Sequence, residues 1–302
     1  MQIYAREGVQ MGVSMKYGIY YAYWETEWEA DYIPYVDKAA SLGFDGLEIG
    51  AKPLPDYTKD QIAALKSCAA AQGISLTAGY GPSYEHNIGA KDKEIRLHAA
   101  EWFKRLFYVM GELEIRHLGG ALYSYWPVDF SKPINKEEDW KYSIEGTHIL
   151  SDLASPYGIQ LGMEVLNRFE NHLLNSAEEG VRFVQEVGKD NVKVMLDTFH
   201  MNIEEDNLAE AICTAGNLLG HFHTGECNRK VPGQGRMPWK EIGDALKQIN
   251  YNGYIIMEPF VRRGGQIEKD IHIWRDIRKD ITGKMLDQEA KEALLFQKRI
   301  FS

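Results

Sequence analysis

The sequence predicts a (β/α)8 TIM barrel with a C-terminal helical extension, and three observations predict it. Short apolar runs alternate eight times with longer amphipathic runs, the pattern of parallel strands joined by helices. No Pro/Ser-rich or low-complexity linker breaks the series. The 302 residues exceed the roughly 250 that one such barrel takes, leaving a surplus at the end. A doubly wound open sheet built from the same series is the structural alternative.

Residues 1–14 precede the first strand and stand as an N-terminal extension of uncertain status; residues 15–302 form the expected single barrel domain. The strands are expected in "YGIYYAYW" from Tyr17, "GLEIG" from Gly46, "LTAGYG" from Leu76 and "HLGGALY" from His117. The second half continues with "QLGMEVL" from Gln160, "VKVMLDTF" from Val192, "LLGHFHTGE" from Leu218 and "YIIMEPF" from Tyr254. Helices fall between them. "EADYIPYVDKAASLG" spaces apolar residues at three and four and ends on Gly43. "TKDQIAALKSCAAAQG" opens on Thr58 as N-cap and closes on Gly73. Ser176 precedes Glu179 at capping-box spacing, and Pro238 suits a first helical turn. The tail ending "DQEAKEALLFQKRIF" is longer than one closing helix needs and is expected to pack on the barrel or on a partner.

Composition narrows the function classes. The hydrophobic fraction of 44% and charged fraction of 26% are ordinary for a globular chain. A net charge of −10 disfavours a nucleic-acid binder, which needs clustered cations to follow phosphates. Cys68, Cys213 and Cys227 are scattered and contain no CxxC, so reduced thiols of a cytosolic protein are expected, with neither a disulfide frame nor a thiolate zinc site. No run of 18 apolar residues exists, and "MQIYAREGVQMGVSM" lacks the apolar centre of a signal peptide.

The chemistry gathers at strand ends, where barrel active sites form. Four consecutive apolar runs end in Glu164, Asp197, His223 and Glu258. A closed barrel would bring these ends around one side of its mouth. Any one of them alone is commonly a cap or salt-bridge residue. Three carboxylates in a low-dielectric mouth repel one another, and one imidazole does not offset them. A divalent cation does, and oxygen-rich ligation with one imidazole suits Mn²⁺, Mg²⁺ or Co²⁺. Asn167, Arg168, Glu170, His200, Glu226, Asn228 and Arg229 crowd the following loops and suit hydrogen bonding to a polyol. Tyr20, Tyr23, Trp24, Trp28, Tyr123, Tyr125 and Trp126 are placed to pack a sugar's C–H face, or simply the core. "VPGQGRMPW" reads as a loop, and no Walker motif, GxSxG or HExxH is present.

Taken together, "GIYYAYWETEW", "GGALYSYWP", "EVLNRFEN", "VMLDTFHMNIEE", "HTGECNRKVPGQGR" and "MEPFVR" resemble the D-tagatose 3-epimerase/D-allulose (D-psicose) 3-epimerase family from Met15 onward. The resemblance implies a barrel, a divalent metal (Mn²⁺ first) on Glu164, Asp197, His223 and Glu258, and a homodimer or homotetramer. It places substrate contacts on Glu170, His200 and Arg229, with Tyr20, Trp126 and Phe260 as wall positions. The implied reaction is C3 epimerisation of a free ketohexose, D-fructose/D-allulose or D-tagatose/D-sorbose, through a cis-enediolate. Glu164 and Glu258 would act as acid and base on opposite faces. An aldose–ketose isomerase uses the same residue types and is the nearest alternative. A metal-dependent apurinic-site endonuclease would want more histidine ligands and a basic groove; a non-catalytic sugar-binding barrel would need no metal.

Overall fold

Each strand is short and apolar, and most of the helices between carry start and stop signals in their own sequence. In the computed structural model, which describes residues 15–278 and 281–302, the strands are β1 (Lys16–Tyr20), β2 (Gly46–Gly50), β3 (Ser75–Gly79), β4 (His117–Gly120), β5 (Gln160–Glu164), β6 (Val192–Asp197), β7 (Leu219–Thr224) and β8 (Tyr254–Met257). They pair in parallel in chain order, and β8 closes on β1 with Tyr254 opposite Lys16. Closure removes the open sheet as an alternative, because a doubly wound sheet keeps two unpaired edges. The extension assigned to residues 1–14 lies outside the described residues.

The helices are α1 (Ile33–Leu42), α2 (Lys59–Gln72), α3 (Lys93–Glu112), α4 (Lys136–Ala154), α5 (Ala177–Val187), α6 (Thr198–Glu204), α7 (Leu208–Ala215), α8 (Trp239–Gln248), α9 (Gly265–Ile271) and α10 (Gly283–Phe301). Thr58 and Gln61 form a reciprocal capping box on α2, and Gly43 and Gly73 end α1 and α2 in the left-handed conformation. The box expected on α5 is only half made. Ser176 Oγ accepts from Glu179 N, but the Glu179 carboxylate turns to Asn175 N and Lys136 instead. Pro238 is the N-cap of α8, one position earlier than expected.

Two strands stop sooner than their apolar runs. After Tyr20 the chain turns into a 3-10 helix over Tyr21–Trp24, all four residues buried, because these side chains fill the core rather than alternate across a sheet. β6 ends at Asp197 because its Oδ1 accepts from Phe199 N at 2.9 Å and caps α6. The apolar "TF" that follows is therefore helical.

The C-terminal surplus packs on the barrel. Helix α10 buries Leu286, Ala290, Ala293, Leu294 and Phe301, packs against α1 and α8, and drives Gln297 inward to donate to Thr224 Oγ1 at 2.7 Å. None of the described helices is long and apolar enough to cross a membrane.

Gly120, at the end of β4, has φ +126°, and a Cβ there would overlap the Tyr80 carbonyl oxygen. Gly120→Ala is expected to cost about 2 kcal/mol or more, read as a lower urea midpoint at unchanged slope.

Candidate active site at the barrel mouth

Side chains alternate along a strand, so residues two apart share a face. On β7 this points both His221 and His223 into the barrel, where Glu48 of β2 meets them. At the carboxyl ends of β5 to β8 the same alternation aims Glu164, Asp197, His223 and Glu258 at one point. One ligand-type atom from each lies within 4.8 Å of all the others. The four groups singled out from strand ends thus converge, although Glu258 falls one residue past its strand and His223 one residue before the end of its own.

Charge governs what surrounds them. Arg229 Nη1 donates to Asp197 Oδ2 at 2.7 Å and to Glu258 Oε2 at 2.8 Å, while its guanidinium stacks 3.8 Å from the Phe199 ring centroid. The sequence assigned Arg229 to substrate; the structure binds it first to two of the carboxylates, and it still lines the cavity. Burial would raise the Asp197 carboxyl, but the Arg229 guanidinium, with the Phe199 N–H, outweighs it and holds it below the usual range. At Glu164 the pull of His223 and Arg229 is outweighed. Burial, then the Glu258 charge, push its carboxyl well above the usual range.

His200 is buried and its tautomer follows from its neighbours. Asn167 presents two donors to Nδ1, its backbone N at 3.3 Å and Nδ2 at 2.8 Å. The amide orientation is set by Phe169 N donating to Asn167 Oδ1 and by Nδ2 donating to Glu170 Oε1. Nδ1 must therefore accept, which leaves the proton on Nε2, on the side of Glu164 and Asp197. Burial pushes the imidazole down, against the pull of Glu170 and Asp197, so it is a neutral donor. Glu170 is held in turn by Trp126 Nε1 at 3.0 Å.

Above these groups opens a cavity of about 230 Å³. Its apolar wall is Tyr20, Trp28, Trp126 and Phe260, with edge-to-face contacts of 6.0 to 6.2 Å running from Tyr20 through Phe260 and Trp28 to Trp126. The other aromatics named from the sequence do other work. Tyr23 donates to the Leu286 carbonyl, Trp24 to Asp287 and Tyr123 to the Glu164 carbonyl. Arg168 faces outward and clasps Glu204.

Glu226 also differs from expectation. It is fully buried and does not line the mouth cavity. Its carboxylate accepts from Gly233 N at 2.8 Å, Met237 N at 3.2 Å and Trp239 Nε1 at 2.8 Å. It thereby folds the loop that carries Arg229, a non-glycine residue at φ +60°. The buried Glu48, His221, His117 and Thr77 beneath the site were not singled out from sequence. The available signals were an acid at the centre of the apolar strand "GLEIG" and a second histidine two residues before His223.

The residues fit a divalent cation. Three carboxylates and one imidazole form an oxygen-rich donor set. Arg229, paired to Asp197 and Glu258, brings one positive charge to the three carboxylates. His223 Nδ1 is buried, lies 3.5 Å from Glu258 Oε1 and has no hydrogen-bond partner among the described residues.

Comparison with known proteins follows the same line. The chain matches the xylose isomerase-like TIM barrel family over residues 36–279. It is 56% identical over 286 residues to a D-psicose 3-epimerase of Ruminiclostridium cellulolyticum, covering 95% of this chain and 98% of the relative. A crystal structure of D-psicose 3-epimerase with D-tagatose, from Clostridium cellulolyticum H10, superposes with TM-score 0.94 at 55% identity, covering 95% of this chain and 100% of that one. A D-psicose 3-epimerase crystallised in the presence of D-fructose superposes with TM-score 0.94 at 52% identity, covering 95% and 99%.

The Glu226 clamp yields a test. Glu226→Ala strands two buried donors, Met237 N and Trp239 Nε1, besides the more exposed Gly233 N, and is expected to destabilise the fold by roughly 2–4 kcal/mol, at about 1–3 kcal/mol for each buried group left unsatisfied and with partial relaxation. The check is thermal unfolding together with limited proteolysis, in which new cleavage should map to residues 225–238.

Proposed function

The chain belongs to the D-psicose 3-epimerase family of xylose isomerase-like TIM barrels, and on that footing we propose that it epimerises free ketohexoses at C3, with D-fructose and D-allulose (D-psicose) as the leading pair and D-tagatose and D-sorbose as the second. The observation that carries the reading is the convergence of Glu164, Asp197, His223 and Glu258 beneath a cavity with an aromatic wall. The relatives' names, and the sugars in the two crystal structures, support the substrate class.

Glu164, Asp197, His223 and Glu258 would hold the cation, Mn²⁺ first, with Co²⁺ and Mg²⁺ sharing its preference for such donors. When bound, it supplies Lewis-acid polarisation of the ketose oxygens. The chain's own groups do the rest. One of Glu164 and Glu258 takes the C3 proton; the C–H electron pair becomes the C2–C3 double bond of an enediolate, and the negative charge moves to O2. The other glutamic acid returns a proton to C3 from the opposite face, and the carbonyl re-forms at C2. His200 offers its Nε2–H to a sugar oxygen on which charge develops, and Arg229 beside it adds a fixed positive charge. Glu170 serves from the side of Trp126, and Tyr20, Trp126 and Phe260 pack the apolar face of the ring or chain. The cavity carries acids rather than a phosphate cradle, which favours an unphosphorylated sugar. The reading includes a homodimer or homotetramer, from the family, and a cytosolic setting for the three free thiols.

Proton NMR of D-fructose incubated with Mn²⁺-loaded protein in D₂O is the direct test. Loss of the C3 proton with new D-allulose signals, abolished by a chelator, is the expected result. Exchange at C1 with an aldose appearing would reassign the enzyme as an aldose–ketose isomerase, and exchange nowhere would defeat the ketohexose reading. Asp197→Ala should lose bound metal and turnover together; full turnover in metal-stripped variant would contradict the ligand set. Trp126→Ala removes a wall and the donor to Glu170, so KM for ketose should rise at least about tenfold, the equivalent of 1.4 kcal/mol, with a smaller change in kcat.

A further inference from the structure

Beneath the mouth lies a polar group that the reaction does not use. Glu48 is 1% exposed at the centre of the barrel. Its two oxygens are divided. Oε2 accepts from Thr77 Oγ1 at 2.8 Å and lies 2.9 Å from His221 Nε2, whose ring stacks on His117 with centroids 3.8 Å apart. Oε1 faces His223 Nε2 at 2.6 Å. Thr77 thus holds one oxygen from below, with the stacked His221 and His117 rings packed beneath it, while the other oxygen is committed to His223. An ionised carboxylate is acceptor-only, so the His223 proton sits on Nε2 and the Nδ1 lone pair is left for the mouth.

These three groups, Glu48, His221 and His223, also have the residue types of a second metal site. Their spacing argues otherwise. The 2.6 Å from His223 Nε2 to Glu48 Oε1 is a hydrogen bond, and at 2.6 and 2.9 Å both nitrogens stand too close to the carboxylate to share an ion with it, since donors on one ion at bonds of about 2.0–2.2 Å stand more than about 3 Å apart. Bridging two ions would also take both nitrogens of His223.

Resting on the metal reading above, we propose that Glu48 is a positioning residue: it selects the tautomer and fixes the ring of His223, so that Nδ1 and not Nε2 is the ligand atom. A carboxylate behind a ligating imidazole raises its basicity and holds its orientation, and losing such a partner typically costs about 10–100-fold in metal affinity.

Metal binding itself is the readout, independent of turnover. Glu48→Gln keeps the side-chain shape and removes the charge. Titration with Mn²⁺ by EPR should show its dissociation constant raised about 10–100-fold while the circular dichroism spectrum stays that of the parent. A folded Glu48→Gln protein binding Mn²⁺ within twofold of the parent would overturn the proposal. The unsubstituted protein supplies a second test that no folding defect can obscure. Loaded with Co²⁺, its proton NMR spectrum should contain one hyperfine-shifted imidazole N–H, from His223, that persists for hours in D₂O because Glu48 and the barrel enclose it. A shifted N–H lost within the mixing time would overturn the Glu48 assignment. No shifted imidazole signal, with no Mn²⁺ bound by the parent, would instead defeat the metal reading, so the two failures are told apart.

Discussion

Three carboxylates brought to one buried point are the constraint around which this protein is arranged. Glu164, Asp197 and Glu258 cannot share a low-dielectric mouth without positive charge among them. Arg229 supplies part of it, held to Asp197 and Glu258 at 2.7 and 2.8 Å. That demand propagates outward. Arg229 sits in a left-handed backbone conformation, its loop is folded around the buried Glu226 carboxylate, and its guanidinium is sandwiched near Phe199 and Phe260. A surface loop would not carry so much buried polar structure unless it had a charge to place.

The same logic runs through the line of residues beside Arg229. His200 is kept neutral and in one tautomer by Asn167, Asn167 is oriented by Phe169 N and Glu170, and Glu170 is tethered by Trp126. Each polar atom is oriented by the next, so the mouth is preorganised without rearrangement. Burying such a network is costly unless it is satisfied, and the aromatic wall supplies the dry boundary that makes it worth satisfying.

Below the mouth, the barrel axis is polar where an apolar layer is the usual filling. Glu48, Thr77, His117 and His221 occupy it and lead up to His223. Rigid strands on every side hold this stack, and α10 adds an outer brace where Gln297 reaches Thr224, the residue after His223. Support from strands rather than loops suits a site whose ligand atoms must converge within a few ångströms.

How much of this was legible in the chain differs by element. Eight strand–helix repeats, the caps at Thr58, Gly43 and Gly73, and the acids and histidine closing β5 to β8 could all be read directly, because local periodicity and capping are properties of neighbouring residues. Where β1 and β6 stop was not legible: Tyr21–Trp24 leave the sheet to fill the core, and Asp197 ends its strand by capping α6. The roles of Glu226 and Glu48 were equally hidden. An acid within a short apolar strand looks like a solvated face until residues 175 positions away, such as His223, are folded against it. Sequence alone determined the barrel and which side chains could meet at its mouth, since the alternation along each strand dictates which residues point inward. Only the tertiary structure decided which nitrogen of each histidine faces the site and which carboxylates Arg229 neutralises, because those depend on distances between strands that no local pattern encodes.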